Sequence, residues 1–244
     1  MKTLIHFLLL SFFAFSAMNS FGQSKNYYSN KQGLIIDQAT YDAQKMKSLE
    51  NIKRNMKSME IVEDLNELYK NNDSIVYLYH WHFTDNPKKT IKSIENKKAT
   101  IGKKFPLTKE KTLSGKTITS DDIKGKPTLI NLWFTSCAPC IEEMPVLNKI
   151  KAEYGDKFNF LSITFESEEK VKKLLEKHKF DFEHIVNSKK LTTKLGFNGF
   201  PVNLFLDKDG VVKIIEGSIS FNKKDGKLEI GDGNEFIKIL EKLL

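Results

Sequence analysis

Asn131-Leu132-Trp133-Phe134-Thr135-Ser136-Cys137-Ala138-Pro139-Cys140-Ile141-Glu142-Glu143-Met144-Pro145 is the stretch from which the rest of the chain can be read. It begins inside an apolar run, Pro127 to Phe134, of the kind that a strand buried on both faces requires. From about 138 to 153 the pattern is helical, so Cys137 stands at the mouth of a helix. A helix N-terminus presents free N–H groups and positive potential. That environment stabilises a thiolate, the nucleophilic form of cysteine, and such pairs commonly have the first pKa lowered to ~3.5–7.5. Cys140, one turn further in, is placed to attack a mixed disulfide formed at Cys137. Pro139 is tolerated in the first turn; it also removes a donor that would otherwise stabilise the thiolate, which favours a reductant over a strong oxidant. Only two cysteines occur in 244 residues. A structural disulfide framework would use more, spread along the chain, so the pair reads as reactive.

Working outward, strands and helices alternate from about residue 101. Phe105 to Thr108 reads as extended, and a turn at Ser114-Gly115 before Thr117-Ile118-Thr119 predicts a hairpin. Ser120 opens a short helical turn that ends at Gly125. After the central helix come a strand over Phe158 to Phe165, a helix capped by Ser167 and running from Glu168 to about His178, a strand over Phe182 to Val186, and a short helix through Leu195. Val202 to Leu206 and Val211 to Glu216 form a last hairpin around Asp207-Lys208-Asp209-Gly210, and Asn234 to Leu244 closes the chain as an amphipathic helix. This alternation predicts an α/β fold with a central mixed sheet flanked by helices. Residues 23–97 form a separate α+β extension. Met46, Leu49, Ile52, Met56 and Met59 mark one helix face, continued by Ile61, Leu65 and Leu68 until Asn71-Asn72-Asp73 stops it. Ser74 to Phe83 reads as a strand, and 84–100, with Pro87 and five lysines, as a linker. The domain boundaries expected are thus 1–22, 23–97 and 98–244.

The stretch from Asn131 to Pro145 resembles the active-site signature of the thioredoxin superfamily, and more narrowly its membrane-anchored or periplasmic TlpA/ResA-type members. Ile101-Gly102-Lys103-Lys104-Phe105-Pro106, Gly115-Lys116 and Gly199-Phe200-Pro201-Val202 extend the resemblance over about 100–244. It implies a thioredoxin-like fold with an N-terminal hairpin and an extra βα insertion at 182–195. It implies a cis bond before Pro201, beside which a substrate segment pairs with the Phe200 backbone like an added strand. It also implies that Glu143, on the Cys140 face of the helix, is the proton acceptor for Cys140, because Asn131 stands where thioredoxin has a buried aspartate. Trp133 is grouped with Phe200 and Pro201 on the substrate side, although its position also suits packing below the site. One departure is Ser136, where the family usually has Trp. The implied activity is protein-disulfide reduction by the Cys137–Cys140 pair without a further cofactor, with protein thiols or disulfides as substrates and a membrane-bound electron donor.

The remaining readings are bounded by composition. The net charge is +8, but 12 basic and 10 acidic residues fall in 23–97 and 26 and 21 in 98–244, so the charge is dispersed and nucleic-acid binding is not expected. Met1-Lys2 followed by an apolar run from Leu4 to Ala17 reads as a signal peptide, with cleavage before Gln23 and export to the periplasm or cell envelope. The alternative is an uncleaved anchor. No metal site is expected: Cys137 and Cys140 lack two further ligands, and His178 with His184, or His80 with His82, do not complete a set. A peroxiredoxin-like peroxidase would share the fold but needs an arginine near its nucleophile, and none occurs after Arg54. A non-catalytic binding module with a locked disulfide is the other alternative.

Overall fold

A computed structural model describes residues 24–30, 33–224 and 226–244; the signal segment expected over 1–22 and its cleavage site lie outside them. The chain divides into a unit ending at Phe83 and a unit covering Thr84–Leu244. The first contains β1 (Lys25–Ser29), β2 (Ile35–Asp37), α1 (Gln38–Lys53), β3 (Glu60–Lys70) and β4 (Ser74–Thr84). Its sheet runs β2-β1-β4-β3, with β1 parallel to β4 and antiparallel to β2. Asp37 caps α1 by accepting from the Thr40 N–H at 2.8 Å. Tyr41 of α1 is buried and stacks on Tyr28 of β1 with centroids 3.8 Å apart. Its hydroxyl accepts from Trp81 Nε1 at 2.9 Å and donates to Glu63.

Two expectations for this region are corrected. The helix predicted to run from Met46 toward Tyr69 ends at Lys53, and Ile61, Leu65 and Leu68 belong to strand β3. Met46 and Met56 are each 54% exposed, so the spacing that suggested a helix face does not mark a core. Asn71 makes a turn instead of ending a helix: its Oδ1 accepts from the backbone N–H of Asp73 and Ser74. The segment 84–100 is not a linker, and the boundary drawn at 97/98 moves to 83/84. Pro87 is in the first turn of α2 (Pro87–Thr100), where its missing N–H is harmless, and Asn86 caps the helix by accepting from Lys89.

The second unit continues with β5 (Glu110–Lys111), β6 (Thr117–Ile118), β7 (Thr128–Leu132), α3 (Ala138–Tyr154), β8 (Asn159–Ile163), α4 (Glu168–Leu175), β9 (Glu183–Ile185), α5 (Lys189–Leu195), β10 (Val202–Leu206), β11 (Val212–Glu216), β12 (Phe221–Lys224), β13 (Lys227–Ile230) and α6 (Asn234–Glu241). The central sheet runs β11-β10-β7-β8-β9; β7, β8 and β9 are parallel, while β10 is antiparallel to both its neighbours. Side chains alternate along these strands, and both faces are mainly apolar, with Asn131 of β7 and Asn203 of β10 among the buried polar exceptions. Leu129, Phe160 and Phe205 pack with Met144, Leu147 and Ile150 of α3 and Phe236 and Leu240 of α6. Ile130, Leu132, Leu161, Ile163 and Leu204 point the other way, onto Leu191 and Leu195 of α5. The β5–β6 hairpin docks on the β9 edge through Leu113 N–H to His184 O, 2.8 Å. α2 docks on the end of α5: Asn96 Nδ2 donates to Gly196 O at 3.0 Å, and Ser93 Oγ accepts from the Asn198 N–H at 2.6 Å. Gly196 has φ +63, and a Cβ there would collide with Asn96. The β12–β13 hairpin was not anticipated. No helix of the described residues is long and apolar enough to cross a membrane.

Candidate active site

Cys137 occupies the N-cap of α3, and its Sγ accepts from the backbone N–H of Cys140 at 3.3 Å. This is the helix-mouth geometry that favours a thiolate. The two cysteines are joined as a disulfide with Cα atoms 5.2 Å apart. Cys137 is 4% exposed and Cys140 0%, so an approaching sulfur meets Cys137 first. The loop before Cys137 is pinned by Glu166, whose carboxylate accepts from the Thr135 N–H at 2.5 Å. Glu166 was not identified from the sequence; it lies just past β8, 31 residues from its partner, and nothing local marks it.

Glu143 is one turn below Cys140 on the same helix and is fully buried. Its Oε1 accepts from Asn131 Nδ2 at 2.7 Å and from Asn203 Nδ2 at 3.3 Å, and its Oε2 from the Ile219 N–H at 3.1 Å. Burial pushes its pKa up to about 7, against the pull of these donors, which favour the charged form. Glu142 faces outward. The geometry therefore presents a buried carboxylate able to take or give a proton near neutral pH.

Phe200 and Pro201, joined by a cis bond, precede β10. Phe200 lies edge-on to Phe134 with centroids 5.5 Å apart, and both pack near Phe165, which is 39% exposed. These three phenylalanines form an aromatic surface beside the loop that holds Ser136. Trp133 does not belong with them. It is 0% exposed and stands edge-on to Phe180, 6.0 Å away, because strand alternation turns it to the α3 side of the sheet. Its placement on the substrate side is thus corrected. His184 is buried, with Nε2 2.9 Å from Phe180 O and Nδ1 2.5 Å from Ser162 Oγ; burial lowers its pKa, and the contacts suit the neutral ring with the proton on Nε2.

Comparison with known proteins places this geometry among relatives. A model of the AhpC/TSA family matches residues 101–215. The thioredoxin-like protein YneN of Bacillus subtilis is 31% identical over 134 residues, covering 53% of this chain and 79% of that protein. The thiol-disulfide oxidoreductase ResA of Bacillus thuringiensis is 30% identical over 135 residues, covering 54% of this chain and 76% of that protein. The solution structure of a candidate protein disulfide isomerase from Bacteroides thetaiotaomicron superposes with a TM-score of 0.50 at 18% identity, covering 59% of this chain and 89% of that one, a likeness of fold.

Proposed function

Because the chain belongs to the thioredoxin-like family of thiol–disulfide oxidoreductases, we propose that it reduces protein disulfides through Cys137 and Cys140 in the cell envelope. The observation that carries this reading is the pair itself: a disulfide across the first turn of α3, with a fully buried Glu143 one turn below. In the dithiol form, the Cys137 thiolate attacks a substrate disulfide, one substrate sulfur leaves as a thiolate, and a mixed disulfide forms. Cys140 then gives its proton to Glu143 and attacks Cys137 Sγ, which releases the second substrate sulfur and closes the Cys137–Cys140 disulfide. Two electrons pass from the dithiol to the substrate, and a membrane-bound donor returns them. Phe200 and Pro201 offer backbone to an extended substrate segment, and Phe134, Phe165 and Phe200 favour apolar side chains flanking its cystine. Export rests on the apolar segment Leu4–Ala17. A peroxidase reading gains no support, since no arginine follows Arg54.

The test is a trapping experiment. Cys140→Ser should accumulate mixed disulfides with client proteins at Cys137, and alkylation of the reduced parent at mildly acidic pH should label Cys137 first. Preferential labelling of Cys140, with no trapped species, would overturn the assignment.

A further inference from the structure

Asn131 and Asn203 face each other across the β7–β10 pairing, in a register where their neighbours Ile130, Leu204, Leu129 and Phe205 are all apolar. Both amides are buried, at 1% and 0% exposure. Asn131 Nδ2 is shared between Glu143 Oε1, 2.7 Å, and Asn203 Oδ1, 2.8 Å. Asn203 Nδ2 is shared between Glu143 Oε1, 3.3 Å, and Gly217 O, 2.8 Å. Asn131 Oδ1, by contrast, is buried without a donor. An orphaned buried acceptor is a cost to folding that needs a compensating use. Turning the amide over would set its carbonyl against the carboxylate, so the observed orientation is the one in which the donors face the charge. A site built for stability alone would continue the apolar pairs on either side.

We propose that Asn131 and Asn203 are a positioning pair that holds Glu143 in its proton-accepting form for Cys140, with Asn203 tying that form to the segment Gly217–Ile219. The inference rests on the proton-acceptor role given to Glu143 above. The groups acting on Glu143 from outside its own helix are these two amides, the Ile219 N–H and the Ser218 hydroxyl, all of which favour the charged carboxylate. On its own helix the titratable groups of the active site are Cys137 and Cys140 once reduced. Loss of either amide donor therefore leaves the ionised carboxylate less well solvated and moves its protonation to higher pH.

The experiment uses the reduced full-length chain and an excess of an aromatic disulfide that releases a coloured thiolate. The first release reports attack by Cys137. The second reports Cys140: its proton passes to Glu143, its sulfur bonds to Cys137 Sγ, and the aromatic thiolate leaves. Asn203→Val and Asn131→Leu should move the pH midpoint of the second release up by about one unit, which lowers its rate about fivefold at pH 7 and about tenfold well below the midpoint, and should leave the high-pH plateau and the first release in place. Asn203→Thr, which restores a hydroxyl donor on the shape of Val, should recover part of the shift. An unmoved midpoint, or an equal fall in rate at every pH, would overturn the positioning role. Glu143→Gln separates the two levels of the claim. If it abolishes the pH dependence while the amide variants leave the midpoint unmoved, only the pair is wrong; if the dependence survives it, the proton-acceptor role falls and the pair with it.

Discussion

With its pKa lifted from 4.5 to about 7 by burial, Glu143 keeps a proton in the folded chain over a pH range where the unfolded chain has lost it. The folded state therefore binds the extra proton between those values, and stability falls as pH rises through that window. The contribution is whole below about pH 4.5 and lost once pH passes about 7. A shift of this size corresponds to at most about 3 kcal/mol. Glu143→Gln should thus become more stable than the parent by about 2 kcal/mol on going from pH 4.5 to pH 8, as read from urea midpoints at the two pH values. The same substitution should slow the Cys140 step by roughly 10²-fold, and Glu142→Gln should change neither property. A Gln variant that loses stability equally at both pH values would mean that the carboxylate is not protonated in the fold. At this scale, the cysteines and Glu143 are legible because each sits about one helical turn from the next. Asn203 is not, since its partners Asn131 and Glu143 lie 72 and 60 residues away in sequence. Trp133 was misplaced because its side is set by strand alternation against α3, which the motif alone does not convey.

Among elements, α2 separates the expected boundary from the observed one. Its lysine-rich outer face and Pro87 imitate a linker, while its inward contacts are made by small polar residues, Thr90 and Ser93, that carry no hydrophobic signal. A chain begun at residue 84 should fold with α2 docked on α5, whereas one begun at residue 98 should lose about 2 kcal/mol or more, since Asn96 to Gly196 and Asn198 to Ser93 are bonds of about 1 kcal/mol each. Denaturant midpoints of the two chains compare them directly; equal midpoints would show that α2 adds nothing. The hairpin β3–β4 was misread for a related reason. Ile61, Leu65 and Leu68 recur at helical spacing, but a long strand with many exposed positions, among them Leu68 at 56%, need not show a strict alternation. By contrast β7, β8 and β10, buried on both faces, and α3, α4 and α6, with caps or clear amphipathic faces, could be read directly.

Across the whole molecule, the cysteines, Glu143, both asparagines and the cis bond at Pro201 all belong to the unit Thr84–Leu244. Removing residues 24–83 should therefore leave the rate of exchange with a small disulfide within about twofold; a larger loss would give the first unit a part in the chemistry itself. The central claim is that the Cys137–Cys140 disulfide is redox-active. Its most direct test is the reduction potential of that pair in the full-length chain, from equilibration with glutathione or dithiothreitol buffers and quantification of free thiols. A working dithiol should have a potential above about −300 mV and titrate as a single two-electron couple. A potential well below about −300 mV would mark a locked structural bond and contradict the account.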